Sequence, residues 1–120
     1  MRHAFLLLAL VSLSACYRQD VRWVDIRIPD ATGATDLDDL RSRLLSMNAM
    51  MPKDQPLYME INAIPEPPGL AIRYDARLQS IKNIEHEIAR MGFQANDIPG
   101  DAARRDKTRE TFHRTRGGNG

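Results

Sequence analysis

The sequence has a single cysteine, Cys16, among its 120 residues. An internal disulfide, a Cys-x-x-Cys pair and a thiol nucleophile in the remainder of the chain are therefore excluded. The one strongly apolar run, residues 5–11, is shorter than the roughly 20 residues that a membrane-spanning helix needs. No Ser-His-Asp set, catalytic carboxylate pair or phosphate-binding glycine loop is apparent, so we expect no enzyme.

The chain also has little net charge. The formal net charge is +1, with 17 Lys and Arg against 16 Asp and Glu. Most of the local basic excess lies in the last twenty residues, which hold six Arg or Lys residues. An excess this small does not indicate a nucleic-acid partner.

The amino-terminal segment has the pattern of a secretory signal. Arg2 supplies a positive start, residues 5–11 are apolar, and small residues Ser14 and Ala15 precede Cys16. A short positive region, an apolar stretch and small residues before a cut are the three parts of such a signal. We predict a signal peptide over residues 1–15.

Leu13-Ser14-Ala15-Cys16 resembles the lipobox of bacterial lipoproteins. The resemblance implies that Cys16 receives a diacylglycerol, that the chain is cut before it, and that the new amino terminus is acylated, as with palmitate. Two or three acyl chains anchor firmly, at about 0.8 kcal/mol per buried methylene. The alternative is an ordinary signal peptide with a chance cysteine. Tyr17, in place of Asp, favours the periplasmic side of the outer membrane if the organism is Gram-negative.

Periodicity predicts six elements in the remainder of the chain. Alternation predicts strands, and apolar residues spaced by three and four predict helices. The predicted elements are a strand over 21–28, a helix over 36–47, strands over 57–64 and 69–75, a helix over 80–91, and a short strand over 93–96.

This order, β-α-β-β-α-β, is that of the ferredoxin-like arrangement. We therefore predict an α+β fold with a four-stranded antiparallel sheet and two helices on one face. The domain would span 21–98, after a lipidated tether over 16–20. Apolar residues nearly vanish after Asp101, so residues 99–120 are predicted to form a disordered basic tail.

Two segments carry a family resemblance. Gly69-Leu-Ala-Ile-Arg-Tyr-Asp75 and the stretch from Ser80 to Phe93, which ends in Ile-Ala-Arg-Met-Gly-Phe, resemble the heavy-metal-associated domain. That family includes copper chaperones and a periplasmic mercury-binding protein. Its paired cysteines, aligned on the first helix, fall at Gly33 and Asp36 here. The resemblance supports the fold, and the usual soft-metal site is missing.

Methionines offer a different soft-metal site. Met47, Met50 and Met51 lie together near the predicted end of the first helix, with Met59 farther along. Thioethers bind Cu(I), so a copper site is one hypothesis. Core filling is the alternative, particularly for Met47 and Met59, which fall on apolar faces.

Acidic residues surround the start of the first helix. Asp30, Asp36, Asp38 and Asp39 could supply oxygen ligands to a hard cation. Their spacing matches no EF-hand loop, and carboxylates at a helix start are stabilised by the helix dipole.

Trp23 is the candidate for partner binding. Alternation places it opposite Val24, Ile26 and Ile28, on the sheet face away from the helices. An exposed Trp could bind a partner or rest at the membrane interface, or it could pack against the tail or a loop.

Together these features predict a membrane-anchored envelope lipoprotein that carries a non-catalytic interaction module and binds another envelope protein. The alternative is heavy-metal binding or trafficking, of copper or a similar metal, through a non-cysteine site.

Overall fold

The computed structural model describes residues 19–118, so Cys16 and the predicted signal peptide lie outside the described residues. Seven elements follow in chain order. They are β1 (Val21–Arg27), α1 (Ala34–Ser46), a 3₁₀ helix (Met47–Met50), β2 (Tyr58–Ile64), β3 (Gly69–Asp75), α2 (Ile81–Arg90) and α3 (Ala102–Gly118).

The three strands form an antiparallel sheet in the order β1-β3-β2. Because side chains alternate along a strand, one face of this sheet is mainly apolar, with Arg22 at its margin as the charged exception. On that face Ile26 lies opposite Leu70, and Ile72 lies opposite Ile61, and each of the four is at most 1% exposed. They form the centre of the core.

The first two helices cover this apolar face. Leu37, Leu40 and Leu44 of α1 recur at helical spacing and are buried in the same cluster as the sheet residues. Ile84 and Ile88 of α2 do the same. The hydroxyl of Ser80 accepts a hydrogen bond from the amide of Asn83 at 3.1 Å, which caps the start of α2.

The predicted four-stranded sheet with two helices is wrong, although the fold is α+β. Residues 93–96 form no strand, since Ala95 and Ile98 pair as an isolated bridge in a turn. Asn96 has φ of 50°, the left-handed conformation, which turns the chain out of an extended path. The sheet therefore keeps three strands among the described residues.

Within the tail that the composition predicts to be disordered, residues 102–118 form α3, a 17-residue helix. It has little apolar surface, and it is attached instead by ion pairs. Its arginines contact carboxylates around the start of α1: Arg105 pairs with Asp30, Arg109 with Asp36 and Arg116 with Asp39. Composition alone does not reveal such pairs, which lie more than seventy residues apart in the sequence.

Gly92 sets how closely α3 approaches. Its φ is +94°, and a β-carbon placed on it would overlap the backbone of Arg104 and Arg105. The side chain of Arg105 donates a hydrogen bond to the carbonyl of Gly92 at 3.0 Å. The chain therefore needs a glycine here both for its backbone conformation and for space.

We expect Gly92→Ala to displace α3 and to destabilise the protein by about 2 kcal/mol or more, because strain and overlap combine. Limited trypsin digestion should then cut faster at Arg105 and Arg109. Gly33→Ala is the control, since Gly33 has φ of +143° but open space around its β-carbon. That variant should lose stability without exposing α3. Equal cleavage rates in the two variants would contradict the role of close approach.

Candidate partner-binding surface

The sheet face opposite the helices is uncovered in the part of the chain that the structure describes. Trp23, Asp25 and Arg27 of β1 point to this face and are exposed. Trp23 is 54% exposed, and the strand register places Arg73 of β3 beside it. Glu60 of β2 continues the same row. An exposed Trp next to a guanidinium is a composition typical of binding surfaces.

The backbone of β1 has an open outer edge. The amide of Ile28 donates to the carbonyl of Pro68 at 2.8 Å, and the carbonyl of Asp20 accepts from Ala76 at 2.7 Å. In an antiparallel ladder the bonding direction alternates, so the even-numbered residues of β1 bond to β3. The N–H and C=O groups of Val21, Trp23 and Asp25 therefore point outward.

Asn96 caps this edge only at Arg27, the last residue of β1. Its amide donates to the carbonyl of Arg27, and its side-chain oxygen accepts from the amide of Arg27, both at 2.9 Å. The side-chain nitrogen of Asn96 donates to buried Glu85 at 3.1 Å, which fixes its orientation. One asparagine thus takes the place of a fourth strand at one position.

The opposite edge of the sheet, along β2, is partly closed at its first residue and near its middle. The side chain of Asn48 donates to the carbonyl of Tyr58 at 2.7 Å and accepts from the amide of Tyr58 at 3.0 Å. Arg41 donates to the carbonyl of Ile61 at 2.6 Å. Natural proteins commonly protect an edge strand in this way. The exposed edge on β1 therefore stands out as the accessible one.

Asp75 fixes the base of β1. Its carboxylate is fully buried and accepts hydrogen bonds from the amide of Asp20 at 3.4 Å and from the Arg77 side chain at 2.9 Å. The Arg77 hydrogen bond is the main reason that the pKa of Asp75 lies below its usual range, in opposition to burial. The Tyr74-Asp75 pair of the family resemblance thus has a structural role here.

Three of the four acidic residues proposed as cation ligands, Asp30, Asp36 and Asp39, are paired with arginines, and Asp38 is exposed. Asp36 accepts from both Nε and Nη2 of Arg109, at 3.1 and 2.8 Å, and from the backbone and hydroxyl of Thr32. Arg109 also lies 5.4 Å from the centre of the Phe93 ring. No group of three His, Cys, Asp or Glu side chains within residues 19–118 is placed to hold a metal ion.

The same environment shifts two carboxylates in opposite directions. Burial alone would raise the pKa of Asp36, but the hydrogen bonds from Arg109 and Thr32 outweigh it and lower the pKa. The pKa of Asp39 is raised, because burial together with repulsion from Asp36 and Asp38 outweighs the attraction of Arg116. The two ion pairs therefore differ in their resistance to acid.

The methionines of the proposed copper site do not share one environment. Met47 and Met51 are partly buried and pack against the core. Met50 is 77% exposed, and Met59 is half-buried on β2. The 3₁₀ helix that carries Met47 and Met50 also positions Asn48 against β2. The packing gives Met47 and Met51 an ordinary structural explanation, and the copper site stays a prediction.

Sequence reasoning identified Trp23 but missed the groups that decide which edge is open. Neither Asn96 nor Asn48 was singled out, because an asparagine that caps a distant strand has no periodic signature. Asn96 lies in Gln94-Ala95-Asn96-Asp97, where a residue tolerant of left-handed backbone indicates a turn rather than a strand.

No protein-family model matches the chain, and no curated protein or solved structure is found to be similar to it. The resemblances to bacterial lipoproteins and to the heavy-metal-associated domain therefore stay predictions. Among residues 19–118, no helix combines the length and the apolar character needed to cross a membrane.

As the pH falls, we expect the two ion pairs that Asp39 and Asp36 form with α3 to break in a fixed order. Because the pKa of Asp39 is raised, its contact with Arg116 should weaken first as the pH falls. The pKa of Asp36 is lowered, so its ion pair with Arg109 should persist below the ordinary value of 3.8 and be lost only as the pH falls through the lowered pKa. Carboxyl carbon shifts measured by NMR against pH would follow both groups.

An Arg116→Gln variant provides the control for this titration. It should raise the midpoint of Asp39 further and leave that of Asp36 in place, because Arg109 is unchanged. A midpoint for Asp36 above that of Asp39 would contradict the assigned environments.

Proposed function

We propose that this chain is a lipid-anchored envelope protein whose domain is a non-catalytic interaction module. Its binding site is the open edge of β1, together with the exposed sheet face around Trp23. The occupant is an extended segment of another envelope protein, which adds to the sheet as a strand. The observation that supports this most directly is the outward-pointing backbone of Val21, Trp23 and Asp25.

Strand addition suits the geometry of this edge. An added strand obtains affinity from main-chain hydrogen bonds and specificity from alternate side chains. The β1 edge offers three residues with free outward groups, beginning beside Asp20 and ending where Asn96 bonds to Arg27. Neither lysine nor proline, the usual guards of an edge, occurs in β1.

Trp23 adds a large apolar contact beside this edge. Its side chain lies on the uncovered face, next to the outward backbone that would bond to the partner. Tryptophan is enriched among the residues that contribute most to binding, and its loss commonly costs about 2 kcal/mol or more. A partner strand on β1 would place its own alternate side chains within reach of the indole.

The anchor rests on the lipobox resemblance at Cys16. A bilayer-bound module on the periplasmic side, with the outer membrane favoured for a Gram-negative organism, would meet its partner within the envelope. Binding at a membrane surface raises the local concentration of the two partners, so even a short three-residue edge can be useful.

We expect Cys16→Ser to lose lipid labelling and to leave the membrane fraction, because serine has no thiol for the diacylglycerol. Cells supplied with radioactive palmitate would report the modification, and fractionation would report the location. Cys16→Ala serves as a second variant of the same position. Retention of the label in either variant would refute lipidation at this cysteine.

We expect Asp25→Pro to abolish crosslinking of the intact chain to its envelope partner, because it removes one outward N–H without removing a bond to β3. Asp25→Asn retains that N–H and should retain the partner. Trp23→Ala should weaken capture about thirtyfold, for the loss of about 2 kcal/mol given above. Ile81→Ala is its control, since Ile81 is also exposed, at 42%, but lies on α2.

Photo-crosslinking in intact cells, followed by gel analysis of the adducts, would compare the four variants. Loss of the partner in Trp23→Ala but not in Asp25→Pro would place binding on the sheet face alone. Unchanged adducts in both would contradict a binding site on β1.

A further inference from the structure

A second candidate surface lies on the helical side of the domain, away from the open sheet face. It is a groove of about 700 Å³ between α3 and the carboxyl-terminal ends of α1 and α2. Two half-buried apolar side chains, Met91 and Phe112, contribute to its lining. Every charged residue that lines it is a cation: Arg43, Arg90, Arg104 and Lys107.

Two of these four cations are not neutralised by the protein. Arg90 pairs with Glu87 of its own helix, and Arg104 lies 3.9 Å from the exposed carboxylate of Asp101. Within residues 19–116, Arg43 and Lys107 form no ion pair with a carboxylate. Arg105, Arg109 and Arg116, by contrast, are paired with the carboxylates near α1. The arginines of α3 that face α1 are thus neutralised, whereas Arg43 and Lys107 leave uncompensated positive charge on the groove side.

The helix dipole explains only half of this charge. Arg43 and Arg90 lie in the last turns of α1 and α2, where a cation is favourable. Arg104 lies in the first turn of α3, where the dipole disfavours a cation, and Lys107 lies in the second turn, where the dipole has little effect. The dipole therefore explains neither cation of α3, and both line the groove.

We propose that this groove binds an acidic segment of a partner polypeptide, whose carboxylates contact the four cations and whose apolar side chain packs between Met91 and Phe112. Charge complementarity identifies the occupant, since guanidinium groups bind carboxylates in paired hydrogen bonds. The concave shape favours a polypeptide chain over a lipid surface, because a flat bilayer would reach the cations without entering between the two half-buried apolar residues.

Fluorescence polarisation would test the proposal with the purified intact chain in nonionic detergent. The probe is a labelled peptide of alternating glutamate and leucine, and glutamine replaces glutamate in the comparison peptide. We expect only the glutamate peptide to bind. The double variant Arg43→Glu/Lys107→Glu should bind it at least about tenfold more weakly, since both substitutions replace attraction with repulsion.

The matched control is Lys53→Glu/Arg114→Glu, which changes net charge equally at two exposed positions outside the groove. It should bind the glutamate peptide as the unmodified chain does. Equal weakening in the two double variants would overturn the assignment, because general electrostatics would then explain it. Equal binding of the glutamine peptide would also overturn it.

The methyl resonance of Met91 distinguishes a peptide from a membrane. The glutamate peptide should shift this resonance, and mixed micelles containing phosphatidylglycerol should not. Peptide binding without a Met91 shift would overturn the site. A Met91 shift with phosphatidylglycerol, but none with the peptide, would show that the groove binds lipid headgroups instead.

Discussion

A bidentate ion pair between Arg109 and Asp36 connects the last helix to the start of the first one. The helix α3 buries little apolar surface, so its position depends on this pair and on the flanking contacts of Arg105 and Arg116. The basic groove depends on that position, because α3 forms one of its walls and the ends of α1 and α2 form the other. Charge, rather than hydrophobic burial, therefore determines the shape of the helical side.

The elements that bury apolar residues were the predictable ones. Alternation over Val21–Arg27 and helical spacing through Leu37, Leu40 and Leu44 depend only on neighbours in the sequence, and the structure has a strand and a helix there. The fourth strand failed because a single left-handed residue, Asn96, outweighed a short apolar pattern. The helix α3 was missed because its stabilising partners lie near residues 30–39, far away in the sequence.

The candidate surface also has one part that the sequence predicts and another part that it does not. That Trp23 lies on the face opposite Ile26 follows from the two-residue period of a strand. Whether the edge beside it is free depends on what the rest of the chain places there, and Asn96 reaches only Arg27. The edge of β2 is partly closed by Asn48 and Arg41, and no sequence pattern predicts the contacts of these polar side chains. Edge accessibility is thus a tertiary property, and exposure of a face is a local one.

The buried carboxylate of Asp75, which accepts a hydrogen bond from the amide of Asp20, determines how far the domain can stand from a lipid anchor. Three residues separate Cys16 from Asp20, so the four steps between them, each at most about 3.6 Å in an extended chain, span roughly 14 Å in total. With lipid on Cys16, this short tether would hold the domain close to the bilayer and let it rotate about its attachment point. The first residues of β1 would stay within a thin layer just above the headgroups. They could not reach a partner segment that lies farther from the bilayer.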